Sequence, residues 1–158
     1  MTAVAYDLGP LQGFHDLGHG AEDFRAAVLE GLARPQKRIA AKFFYDAEGS
    51  RLFDAICDLP EYYPTRTEIG ILGRQAGAIA AAIGPGATLV EFGSGSSVKI
   101  RILLDALDRP AAYVPIDISR EHLLAAARGV ATDHPDLAVV PLCGDYAREM
   151  RLPGGVPR

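Results

Sequence analysis

The stretch Ala87-Thr88-Leu89-Val90-Glu91-Phe92 runs directly into Gly93-Ser94-Gly95-Ser96-Ser97. The first six residues form a short, nearly continuous apolar run, the pattern of a parallel strand buried on both faces. Val98 to Leu107 then reads as a helix, with Ile100, Leu103, Leu104 and Leu107 on one side. Glycines between a strand and a helix let backbone N–H groups approach a ligand at the helix N-terminus, the preferred ligand position in open α/β sheets.

The same alternation continues downstream. Ala111 to Ile116 (AAYVPI) is a second strand ending in Asp117, with Pro115 removing one ladder donor. Ser119 is placed to cap a helix from Arg120 to about Thr132, and Leu137 to Leu142 is a third strand ending before Gly144-Asp145. Strand, helix, strand, helix, strand at this spacing predicts a right-handed parallel α/β unit over residues 87–158.

Upstream the period is helical. Thr65 and Glu68 form a Thr-x-x-Glu capping box for a helix running to Ile83, where Gly84-Pro85-Gly86 ends it. Gly70, Gly73 and Gly77 inside that helix are expected to mark close packing against a neighbour. Ser50 to Leu59 fits a short helix stopped by Pro60, and Ala21 to Ala33 fits an amphipathic one with Phe24, Ala27, Val28 and Leu32 on its apolar face. Residues 1–20 show no periodicity and read as a loose arm. His15 and His19 would share a helical face, but Gly13, Gly18 and Gly20 argue against a helix, so a solvated tail is expected rather than a metal site. The chain thus divides into an arm (1–20), a helical segment (21–86) and a partial Rossmann-like unit (87–158).

Composition narrows the class. Of 158 residues, 49% are hydrophobic and 23% charged, enough apolar mass for a core and no bias toward disorder. The net charge of -4 and the lack of a basic block speak against nucleic acid. Cys57 and Cys143 carry no CxxC or Cys/His spacing, so neither a disulfide framework nor a zinc site is signalled, and a reducing cytoplasm is the expected location. Met1 to Pro10 holds Asp7 and no Lys or Arg, wrong for a signal peptide. The most apolar stretch, Ala76 to Val90, is broken at Gly84-Pro85-Gly86 into pieces far short of the roughly 20 residues that span a bilayer, so no membrane association is expected.

The loop after Phe92 can be tested against known phosphate-binding patterns. A P-loop requires Gly-Lys-Ser/Thr, whereas Lys99 lies between Val98 and Ile100. A dinucleotide fingerprint requires Gly or Ala where Val98 stands. What remains is three acids at three successive strand ends: Glu91, Asp117 and Asp145. That series suits S-adenosyl-L-methionine, whose ribose hydroxyls and adenine amino group supply donors for carboxylates and whose compact amino-acid end replaces a pyrophosphate. Taken singly, each Asp reads equally as a helix cap or a solvated loop acid. No Ser/His/Asp set, Cys/His pair or locally paired carboxylates support hydrolytic chemistry.

From about Leu29 to Tyr146 the chain resembles the L-histidine Nα-methyltransferases of ergothioneine biosynthesis, class I S-adenosylmethionine-dependent enzymes. The resemblance rests on Lys42-Phe43-Phe44-Tyr45-Asp46, Gly49-Ser50-Arg51-Leu52-Phe53-Asp54, Leu59-Pro60-Glu61-Tyr62-Tyr63-Pro64-Thr65-Arg66, the Glu91–Gly95 loop with Lys99, Val114-Pro115-Ile116-Asp117 and Gly144-Asp145-Tyr146. It implies that Gly93 and Lys99 meet the methionine part of the cofactor, Asp117 the ribose, and Asp145 with Tyr146 the adenine, with Glu91 and Gly95 completing the loop. It implies that Tyr62 faces the substrate amino group and that Tyr45 lines the same cleft; the residues alone allow these aromatics to be simple packing between the helices and the sheet. It implies a small-molecule substrate, L-histidine, and proteins about twice this length. The chain is therefore expected to be the N-terminal part of such an enzyme, lacking a C-terminal half that supplies the remaining strands and most of the substrate pocket. A methyltransferase for another small amine, or an inactive cofactor-binding fragment, are the rival expectations. Asp117 is followed by Ile118-Ser119 where the family carries a further acid.

Overall fold

The computed structural model describes residues 8–17 and 24–156. Along the chain come a two-residue strand β1 (His15–Asp16), helix α1 (Phe24–Ala33), a 3-10 turn (Ala41–Phe44), and helices α2 (Ala47–Cys57) and α3 (Tyr63–Ile83). The α/β unit follows: β2 (Thr88–Phe92), α4 (Val98–Ala106), β3 (Ala112–Asp117), α5 (Arg120–Asp133), β4 (Ala138–Val139) and β5 (Leu142–Cys143). All pairings are parallel, in the order β1-β5-β3-β2, with β4 also on β3. This is the expected helical segment followed by a partial Rossmann-like parallel sheet. No helix among the described residues is long and apolar enough to cross a membrane.

The third predicted strand is broken in two, and the prolines explain why. Ala112 pairs with Ala138 and Ile116 with Leu142; carried through the same register, Pro115 falls opposite Pro141. Neither has an N–H, so the ladder lapses there and resumes at Leu142.

β3 is the centre of the core. Tyr113 faces a cluster built from Ile100 and Leu104 of α4, Leu107 just beyond its end, and Leu124, Ala127 and Val130 of α5, while Val114 and Ile116 face Val140, Leu142, Met150 and Val156 on the other side. Burying each such Val, Leu or Ile contributes about 1.5–3 kcal/mol. β2 pairs only with β3 among the described strands, and its residues are half-buried or, at Phe92, exposed.

Three expectations are corrected. The described part of the N-terminal arm is not loose: His15 and Asp16 pair with Leu142 and Cys143, and Leu11 is buried in the α4–α5 cluster. A two-residue strand leaves no alternation to read, which hides it in the sequence. His19 and residues 21–23 of the first predicted helix lie outside the described residues. The Thr65–Glu68 box does not form, because α3 begins at Tyr63 with Pro64 in its first turn, and the preceding loop is held by the Arg66 guanidinium donating to the Leu59 and Pro60 carbonyls. Thr65 instead reaches the Cys57 sulfur, and Glu68 pairs with Lys99. Lastly, Gly73 and Gly77 face open space and Gly70 meets only the flexible Arg74 side chain, so they mark no close packing. Gly49 and Gly31 do: a Cβ at Gly49 would collide with the Phe44 carbonyl and separate the 3-10 turn from α2, and one at Gly31 of α1 would collide with the Arg38 carbonyl.

Candidate functional site

The parallel strands end together, and the loops beyond them form the floor of a cleft of about 700 Å³. Gly93 and Ser94 both donate their N–H groups to the Ile116 carbonyl, at 2.8 and 3.2 Å, fastening the loop after β2 to the end of β3. Gly93 turns the chain at φ +67, and a Cβ there would point at the Tyr146 hydroxyl 3.5 Å away. The Tyr146 ring meets Phe92 edge-to-face at 5.7 Å between centroids.

Asp117 closes the floor. Its carboxylate accepts the Gly95 N–H at 3.2 Å and the Ser119 N–H at 2.9 Å, one on each oxygen. Ser119 makes no side-chain cap for α5; the Asp117 carboxylate takes its backbone donor instead. A carboxylate has about four lone-pair sites, so acceptor capacity remains toward the cleft.

Asp145 stands at the far end. It accepts from the Lys42 ammonium at 3.1 Å and from the Ala147 N–H at 3.0 Å, with the Arg148 guanidinium 3.8 Å away. Burial raises this carboxyl's pKa, but the Lys42 and Ala147 hydrogen bonds and the two positive charges outweigh it and hold the group below its ordinary value.

The cleft roof is the 3-10 turn and α2. Asp46 caps α2 by accepting the Gly49 N–H at 2.8 Å, placing Ser50, Phe53 and Asp54 on the side that faces the strand ends. Tyr45, Phe53 and Tyr62 form an edge-to-face aromatic row with centroid spacings of 6.3 and 6.0 Å.

Of the residues expected at the site, Gly93, Gly95, Lys99, Asp117, Asp145, Tyr146 and Tyr45 all line this one cleft. Two do not. Glu91 points away from it, accepting the Tyr113 hydroxyl at 2.6 Å beneath the helices. Burial pushes its carboxyl up, partly offset by that hydrogen bond. Tyr62 stands one ring behind the cleft wall, against Phe53. Lys42, Asp54 and His122 also line the cleft and were given no role in the sequence. Lys42 and Asp54 lie in quoted motifs and His122 in none; nothing local pairs Lys42 with Asp145, or Asp54 with His122.

The residues fit S-adenosylmethionine by the chemistry of their donors and acceptors. Asp117 and Asp145 are acceptors for hydroxyl and amino donors, and the glycine cradle at Gly93 would be filled by a Cβ. Lys99 pairs with Glu68 at 2.9 Å, but an ammonium has three donors and can also hold a ligand carboxylate.

Residues 24–156 match the family described as histidine-specific, S-adenosylmethionine-dependent methyltransferases. The chain is 42% identical over 133 residues to a histidine N-alpha-methyltransferase of Mycolicibacterium smegmatis, covering 82% of this chain and 41% of that protein. It is 40% identical over 158 residues to the protein of that name from Mycobacterium tuberculosis, covering 98% of this chain and 47% of the relative. An ergothioneine biosynthesis protein 1 of Neurospora crassa is 39% identical over 101 residues, 60% of this chain and 12% of the fungal protein. The chain spans less than half the length of each of these relatives.

Proposed function

The chain belongs to the histidine-specific, S-adenosylmethionine-dependent methyltransferase family, and on that premise we propose that it carries the cofactor half of an enzyme that methylates the α-amino group of L-histidine, as in ergothioneine biosynthesis. The observation that supports this best is the convergence of Gly93, Gly95, Lys99, Asp117, Asp145, Tyr146 and Tyr45 on one cleft at the strand ends.

When bound, S-adenosylmethionine supplies the electrophilic sulfonium methyl group. The protein's task is then alignment: an amine must meet that carbon in line, as its neutral form, away from water. In this reading Asp117 accepts from the ribose hydroxyls, Asp145 from the adenine amino group beside Tyr146, and Lys99 holds the methionine carboxylate. Tyr45 and Phe53 cover the cleft and keep water from the reacting centre. Tyr62 acts through Phe53 on this wall, and its hydroxyl serves the amine once the substrate pocket is complete.

We also take the working protein to include a further polypeptide half that pairs beside β2 and supplies groups for the imidazole and carboxylate of histidine. The one-sided pairing of β2 and its half-buried residues support this. The location in the reducing cytoplasm follows from the cysteine usage and remains part of the proposal.

Calorimetric titration with S-adenosylhomocysteine tests the cofactor site. Saturable binding is expected, weakened about tenfold or more by Asp117→Ala, the scale of hydrogen bonds to a charged acceptor. Absence of binding by the unaltered chain would overturn the cofactor assignment. Incubation with S-adenosylmethionine and a set of amino acids, followed by mass spectrometry, tests the substrate: methyl gains on another amine but not on histidine would replace histidine.

A further inference from the structure

Roof and floor of the cleft are joined by two ionic contacts among the described residues. Lys42 meets Asp145 at one flank, at 3.1 Å; Asp54 of α2 meets His122 of α5 at the other, with Oδ2 3.8 Å from Nε2. The His122 side chain is only 19% exposed, and both partners line the cleft. The first contact is permanently charged near neutrality, whereas the second is an ion pair only when the imidazole is protonated.

We propose that His122 is a positioning residue that clasps Asp54 and so seats α2, with Phe53 and the adjoining Tyr45 ring, over the cofactor cleft. The proposal rests on the cofactor reading above and assigns a role to two residues outside the quoted binding set. His122 is the third residue of α5, where the helix dipole favours negative charge. The Asp54 carboxylate suits that end of the helix in any state, and a protonated ring adds a direct charge pair.

The other charges around the ring do not replace Asp54. On α2, Glu48 and Arg51 pair with each other. Asp117, at the end of β3, has its carboxylate held by two backbone N–H groups. On α5 itself, Arg120 pairs with Asp16 of β1, and Glu121 lies beside His122 in the same first turn. β4, also packed on α5, carries only Ala138 and Val139.

The test measures S-adenosylhomocysteine affinity at about pH 5.5 and about pH 8 for the unaltered chain, His122→Ala, Asp54→Asn and the double variant. The expected result is binding a few-fold tighter at the lower pH, lost in either single variant, with the double variant no weaker than the worse single. His122→Gln, which keeps a side-chain donor without charge, should bind equally at both pH values. Retention of the pH dependence by His122→Ala, or losses that add in the double variant, would overturn the clasp.

A ligand-free arm separates this from failure of the cofactor reading. Melting temperatures of the same four proteins should show coupling between the two substitutions at the lower pH that fades at the higher; zero coupling at both overturns the clasp whether or not the ligand binds. A coupling without ligand binding would keep the clasp and remove the cofactor reading.

Discussion

The β3 strand and the helix α1 were equally plain as amphipathic or apolar patterns, yet they end in opposite circumstances. Tyr113 and Val114 of β3 are fully buried between two side-chain clusters, while Phe24 and Leu29 of α1 remain 58% and 55% exposed, as does Leu52 of α2 at 56%. A strand between two partners has its cover within the chain. An amphipathic helix declares which face wants cover and is silent on what provides it, and here much of that cover is not supplied by the described residues.

Substitutions can break or sharpen that contrast, the largest effect first. Ile116→Ala, which opens a cavity beneath the sheet, should cost about 2–5 kcal/mol in urea unfolding, whereas Leu29→Ala should stay within about 0.5 kcal/mol. Equal losses would mean that α1 is packed in solution as firmly as β3. Next, Glu91→Ala leaves the buried Tyr113 hydroxyl without its acceptor and should cost about 1–3 kcal/mol, while Glu91→Gln keeps an acceptor and removes a charge that burial disfavours. The amide variant should match or exceed the parent at neutral pH in thermal melting. A large loss in Glu91→Gln would show that the charge itself is needed.

A smaller effect is expected where helix segment and sheet meet. The Asp145 pKa is held down in the folded protein, so its contribution to stability is present above the ordinary carboxylate value of about 3.9 and lost as pH falls through the depressed one. Lys42→Ala should flatten that acid limb, by about 1 kcal/mol or less, in melting curves recorded across acidic pH. Smallest of all, Tyr62→Phe keeps the ring against Phe53 and should shift stability by less than about 0.5 kcal/mol and leave S-adenosylhomocysteine affinity unchanged. Its effect should appear only in turnover of an active, longer form.

The contrast also explains which parts of the fold are legible in the sequence. Strand ends were legible because β2 and β3 are continuous apolar runs closed by glycines or an acid, so Gly93, Gly95 and Asp117 followed with them, and Asp145 followed from the apolar run Leu137 to Leu142 that closes at Gly144. Glu91 shows the limit of that reasoning: alternate residues of a strand face opposite sides, and only one side opens on the cleft. The Thr65–Glu68 box misled because Pro64 suits an earlier helical start, and Arg66 had already secured the loop behind it. Lys42 with Asp145, and Asp54 with His122, were invisible because each pair is assembled by tertiary packing between distant segments, where no spacing rule operates.

The hydrogen bond from the Gly95 N–H to the Asp117 carboxylate carries one more consequence. Donor and acceptor both belong to the chain itself, and the bond joins the glycine loop to the acid beside it. Loop and acid are thus ordered when the chain folds, and a ligand meets them already in register. Association at this end of the cleft should then be preorganised, with little backbone entropy left to lose on binding.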